Sequence, residues 1–251
     1  MIGAELLSAE TLTIGWVIYV PILLWAIARS PWVELFSDRR RQHLLFGTVF
    51  ALFMLWLVRR DFDTGVSYHF LGMTAVTLLL DWPLAIVGGF VAQAGLVMLG
   101  RQDLAAMGVN GALLIMLPVL ITECCAILVE RAQPRNPFVY IFVSGFFAAA
   151  LSALLCLLLA LWLLWFDERF VMPYWLEDFI GYLWLIIFPE AFINGMVISA
   201  LVVFCPEWLE TFNRTRYLSA RMERRRPQGL NLAWRPTSCR PPINDEVQSP
   251  R

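Results

Sequence analysis

The chain has 251 residues, of which 59% are hydrophobic and 16% charged, with a mean hydropathy of +0.67. Soluble domains carry roughly a quarter charged residues, so this composition excludes an ordinary soluble domain and points to a polytopic membrane protein. The formal net charge of −1 hides an asymmetry: all 19 basic residues are arginine, and Arg214, Arg216, Arg221, Arg224, Arg225, Arg226, Arg235, Arg240 and Arg251 crowd the carboxyl-terminal end.

Taken in chain order, the apolar stretches predict an all-α integral membrane fold of about seven transmembrane helices across residues 1–205, given that about 20 apolar residues cross a bilayer. The first stretch, Leu12–Ala28, follows Glu5 and Glu10 and precedes the first arginine. A cleavable signal peptide opens on a basic segment, so this stretch is expected to be a retained span. Next come His43–Val58, His69–Leu80, Pro83–Leu99, Leu104–Val129, Pro137–Phe166 and Phe179–Phe204. Asp81-Trp82-Pro83 interrupts the third and fourth stretches, where a proline either kinks one long helix or closes a turn between two short ones.

Charge selects the second option. Cytoplasmic loops collect basic residues. With seven spans and the tail inside, Arg29, Arg39, Arg40, Arg41, Arg131 and Arg135 also fall inside, leaving Arg59, Arg60, Arg101 and Arg169 outside. Six spans would put Arg39–Arg41 on the outer face. The reading is therefore a short helical hairpin, an inner membrane protein with its amino terminus outside and its carboxyl terminus cytoplasmic. Gly88, Gly89, Ala92 and Gly95 give the fourth stretch a small-residue face, for packing within the bundle or for docking a second membrane subunit. From Pro206 apolar periodicity stops. Residues 206–251 are expected to be an interfacial segment, Trp208 to Tyr217, and then a basic, disordered cytoplasmic tail.

Chemistry-bearing residues are few. The five cysteines form no C-x-x-C pair and read as small packing residues. No nucleotide loop, nucleophile elbow or zinc-protease motif is present, so the chain is not expected to be an enzyme, and nothing points to nucleic acid. Any energy must come from a partner or an ion gradient. Of two histidines, His43 follows a basic cluster at the cytoplasmic boundary and reads as solvated or lipid-facing. His69, in Ser67-Tyr-His-Phe-Leu-Gly72, opens an apolar stretch, where an imidazole ligates a metal, moves a proton or bonds across helices. Glu190 and Asn194 share a helical face, as a helix clamp or the lining of a cation path. Asn110 orients a ligand as a supporting partner or caps its helix.

The run Ser67-Tyr-His-Phe-Leu-Gly-Met-Thr-Ala-Val-Thr-Leu-Leu-Leu-Asp-Trp-Pro-Leu-Ala85, the glycine-rich helix after it and Leu104-Ala-Ala-Met-Gly-Val-Asn-Gly111 resemble the CbiM/NikM-type substrate-capture subunits of energy-coupling-factor transporters. The resemblance covers roughly Leu12 to Trp208, and Pro189–Ala200 is similar to the family's final span. It implies a seven-helix permease subunit that captures cobalt or nickel, other metals included, without a permanent cofactor, and that works with a transmembrane coupling subunit and cytoplasmic ATPase subunits. It also implies a ligand set made of the amino-terminal nitrogen, the backbone and imidazole nitrogens of a histidine at the second position, and the Ser-x-His histidine. Here Met1 and His69 match, with Asn110 in support, but position 2 is Ile2. Sulfur from Met1, Met73 or Met107 would shift preference toward softer ions. A protein that keeps the fold as a non-transporting interaction or assembly partner, or that carries a different small substrate, is the alternative.

Overall fold

The computed structural model describes residues 1–61, 65–134, 136–167, 176–212 and 217. Among the described residues the backbone forms eight helices, one β-hairpin and short 3-10 turns. Helix α1 (Ala9–Arg29) starts where the Ser8 hydroxyl accepts the Thr11 N–H, which satisfies an otherwise orphaned helix-end donor. A short connector, α2 (Trp32–Ser37), leads to α3 (Arg39–Leu57), capped by Asp38. Then β1 (Arg59–Asp61) pairs antiparallel with β2 (Ser67–His69), Arg59 facing His69. The short α4 (Met73–Leu80) and α5 (Trp82–Met98) follow, then α6 (Met107–Ala132) and α7 (Pro137–Phe166). The last helix is α8 (Leu176–Phe204).

Four segments, Ala9–Arg29, Met107–Ala132, Pro137–Phe166 and Leu183–Phe204, are long and apolar enough to cross a membrane. Their outward faces carry exposed Ile14, Val17, Leu24 and Trp25 on α1 and Trp162, Trp165, Trp184 and Leu185 on the later helices. Apolar surface of this extent suits hydrocarbon in place of water. The inner faces meet in a core that includes Tyr19, Trp56, Met73, Leu96 and Ile115.

Asp81-Trp82-Pro83 separates two helices. Asp81 takes a left-handed φ of 69°, which ends α4, and Pro83 sits in the first turn of α5, where a missing N–H leaves no bond unmade. The chain reverses there: Arg59, just after α3, donates to the Arg101 carbonyl, just after α5. The far end of α5 therefore returns to the level at which α4 began. The glycine face of α5 packs inside the bundle, since a Cβ on Gly89 would lie 2.8 Å from Ile115 and one on Gly95 2.9 Å from Phe53. That close approach is what the small residues provide, and it leaves this face occupied by the chain itself.

Two sequence expectations are revised. His69 does not open the third span; it closes β2, ahead of α4. The hairpin carries Arg59, Arg60 and Asp61 on one strand, so it has none of the apolar periodicity on which spans are read. The fifth span starts at Met107, not at Leu104. Arg135, Arg169 and most of the tail lie outside the described residues. A 3-10 turn, Pro206–Trp208, leads into the expected interfacial segment, within which Phe212 and Tyr217 pack on Tyr140.

Candidate metal site

The first residues lie against the hairpin as an added edge. The Met1 amine donates to the Ser67 carbonyl at 2.5 Å, and the Ser67 N–H donates back to the Met1 carbonyl at 2.9 Å. Ile2 bridges to Val66 in antiparallel fashion, and the Gly3 N–H donates to Gly65 O at 3.1 Å. Asn110 holds the other side: Ile2 N–H donates to Oδ1 at 2.8 Å, and Nδ2 donates to the Ile2 carbonyl at 2.9 Å. A side-chain amide matches a peptide group donor for acceptor, so Asn110 behaves as one more strand residue. It neither caps its helix nor touches His69 through a hydrogen bond. Gly108, two residues earlier on α6, lets that helix lie close against α1, because a Cβ there would lie 2.7 Å from the Trp16 backbone nitrogen.

His69 is 3% exposed, and its ring stands 5.4 Å from that of Trp56. Its Nδ1 lies 2.9 Å from the Phe70 carbonyl. A carbonyl only accepts, so Nδ1 carries the proton and Nε2 keeps a free lone pair. That Nε2 is buried without a hydrogen-bond partner. It is one of several buried side-chain atoms without a partner among the described residues, and the one imidazole nitrogen among them, with a lone pair a metal can take.

Both bases are poised unprotonated. Loss of water and then the Arg59 charge lower the Met1 amine from 8.0 to about 5. Loss of water and then the amino-terminal charge lower His69 from 6.5 to about 3. Both groups sit outside the membrane-spanning helices, and a charge on the amine disfavours a proton on His69. Arg59 is itself paired with Asp61 at 2.8 Å.

The loop that carries His69 into α4 is pinned from α8. Glu190 Oε2 accepts the Leu71 N–H at 2.8 Å and Oε1 accepts the Gly72 N–H at 2.9 Å. Asn194 Oδ1 accepts the Ala75 N–H at 2.9 Å, and its Nδ2 donates to Glu190 Oε1 at 2.7 Å. Gly72 and Ala75 are among the orphan donors at the start of α4, and another helix supplies their acceptors. Gly72, at φ 66°, makes the turn that presents them. Of the two roles open to Glu190 and Asn194, their bonds are those of a clamp. Met73 is fully buried in the core beside which the Met1 side chain packs, and Met107 is buried too.

The structure thus brings Met1, His69 and Asn110 to one end of the bundle, with Glu190 and Asn194 behind the His69 loop. His43 is exposed, on the first turns of α3, away from this group. Among the described residues, no three His, Cys, Asp and Glu side chains gather to hold a metal. Sequence reasoning missed the bonds of Asn110 to Ile2 and of Glu190 to Leu71 and Gly72. They join positions 108, 119 and 118 apart, and no local pattern encodes such pairs.

The comparisons with known proteins agree with this architecture. The chain matches the CbiM family, "Cobalt uptake substrate-specific transmembrane region", over residues 2–208. Two crystal structures resemble it: a truncated transition metal transporter, with a TM-score of 0.62 and 16% identity over 80% of this chain and 98% of that one, and a transition metal transporter, with a TM-score of 0.63 and 17% identity over 80% and 92%. At such identity the likeness establishes the fold. The search of curated proteins gave no match. With the family matched across most of its length, the chain belongs to the CbiM family, the substrate-specific transmembrane component of cobalt uptake within the energy-coupling-factor transporters: a multi-pass membrane protein of transition-metal transport and not an enzyme.

Proposed function

We propose that the protein captures a divalent transition-metal ion, cobalt or nickel, at the outer end of its bundle, with the Met1 amine and His69 Nε2 as direct ligands. It then passes the ion on in complex with a transmembrane coupling subunit and cytoplasmic ATPase subunits. The observation that carries this reading is the buried His69 Nε2, left with a lone pair and no donor. Nitrogen donors favour late first-row ions over magnesium or calcium, which take oxygen. Asn110 and the backbone of Ser67 fix the amine, and Glu190 with Asn194 fixes the His69 loop; these are supporting roles. Position 2 adds no imidazole, and the Ile2 N–H is committed to Asn110.

With the arginine-rich tail inside, the amino terminus and His69 face outward, where the ion arrives. The test is metal analysis of the purified wild type beside His69→Ala after exposure to nickel, cobalt, copper and zinc at micromolar concentration. The expected result is about one ion bound by the wild type and little by the variant. If no metal binds, or if binding survives the substitution, the assignment is wrong.

A further inference from the structure

Cys156 lies on α7 and is 4% exposed. It packs with Leu71, in the loop that follows His69. Its thiol donates to the Leu113 carbonyl at 2.9 Å, and Leu113 packs in turn on Ile2. The cysteine therefore sits between the two segments that carry the nitrogen ligands.

The reason the thiol is held there lies in α6. The π turn Ala112–Met116 sends the Leu117 N–H to the Ala112 carbonyl. The donor one position further on would be residue 118, which is Pro118 and has no N–H. The Leu113 carbonyl is thus freed by its own helix and takes the thiol instead. Wide turns of this kind recur at functional sites. A lone buried cysteine needs no ligand, but the unpartnered Nε2 of His69, also buried and two residues from the Leu71 against which Cys156 packs, supplies a second sign of one.

We propose that Cys156 supplies a third ligand, a thiolate sulfur, in place of the imidazole that position 2 lacks. This rests on the metal-capture reading above. On binding, the Cys156 Sγ–H bond breaks, its proton leaves to water, the contact with Leu113 O is given up and a sulfur–metal bond forms. An amine, an imidazole and a thiolate make a softer set than nitrogens alone and select thiophilic late transition-metal ions.

The experiment uses full-length protein loaded with Co(II), comparing wild type, Cys156→Ser, His69→Ala and a variant with Cys124, Cys125, Cys205 and Cys239 replaced by serine. Serine can still donate to the Leu113 carbonyl, so Cys156→Ser keeps the fold, and its melting temperature checks this. The expected result is a sulfur-to-cobalt charge-transfer band in the near ultraviolet and a sulfur scatterer at about 2.3 Å by X-ray absorption. Both should vanish in Cys156→Ser and persist in the four-cysteine variant. Cobalt affinity should fall in Cys156→Ser by more than the roughly 10–100-fold that loss of an outer partner costs. A His69-dependent cobalt site with only nitrogen and oxygen scatterers overturns the sulfur ligand and leaves metal capture standing. No cobalt binding at all overturns both.

Discussion

The two ends of the bundle are built from opposite chemistry. At one end Met1 and His69 are neutral bases taken out of water, each with its geometry fixed by backbone bonds. At the other a cavity of about 510 Å³ is lined by Glu34, Asp81, Glu123, Glu130 and Glu210 with Arg41. Arg41 pairs with Glu34 at 2.6 Å and with Glu210 at 3.2 Å. Nitrogen donors with lone pairs and no protons discriminate among transition metals, whereas hydrated carboxylates attract any cation and are screened by salt. On the proposed reading, selection belongs to the amino-terminal end and the acidic end adds only a general attraction.

This contrast is easiest to break at the amine. Extending the chain by one residue ahead of Met1 converts the amine to an amide and removes a ligand, so metal binding should be lost to the level of His69→Ala while the melting temperature changes little. Retained affinity in the extended protein, read by equilibrium dialysis, would remove Met1 from the site. A smaller effect is expected from Glu190→Ala. It leaves the Leu71 and Gly72 N–H groups without acceptors, at about 1–3 kcal/mol each. Thermal unfolding in detergent should show this loss, and metal affinity should fall with it because the His69 loop is no longer pinned. Glu190→Gln, which keeps one oxygen, should lie between.

Acid separates the two ends in a graded way. The folded-state values of Met1 and His69, about 5 and about 3, lie below their ordinary values of 8.0 and 6.5. The unfolded chain therefore binds more protons between those limits, and these groups lower stability as pH falls from 8 toward 5, the more so once His69 joins below 6.5. In Cys156→Ser, where binding releases no thiol proton, metal affinity should by contrast hold from pH 8 to 6 and drop only near pH 5, when the folded amine protonates. Loss of metal already at pH 7 would mean that the amine is solvated. The smallest effect belongs to the acidic end: Glu123→Gln should change nickel or cobalt affinity less than twofold, because Glu123 lines the cavity at the end of the bundle away from Met1 and His69.

Much of the helical frame could be read from the sequence because apolar length and arginine placement are local quantities. Asp81-Trp82-Pro83 announced a break, and the structure puts a left-handed Asp81 there. The hairpin that carries His69 was not legible, since Arg59-Arg60-Asp61 has neither alternation nor strong strand propensity and pairs only because the amino terminus and Arg101 lie beside it. Met1, His69 and Asn110 were identified by residue type and resemblance. What Asn110 does could not be, because its partner is the peptide group of Ile2, and a backbone partner leaves no mark on residue identity. Cys156 read as packing for the same reason: the carbonyl that holds it is freed by a π turn and a proline on another helix.

The central claim is that the Met1 amine and His69 Nε2 hold one and the same ion. The direct measurement is a double-mutant cycle in Ni(II) or Co(II) affinity using the amino-terminally extended protein, His69→Ala and their combination. If the two groups share an ion, each change alone abolishes high-affinity binding and the combination is no worse than either, a strongly non-additive result. Independent losses that add, or one change without effect, would contradict a shared site.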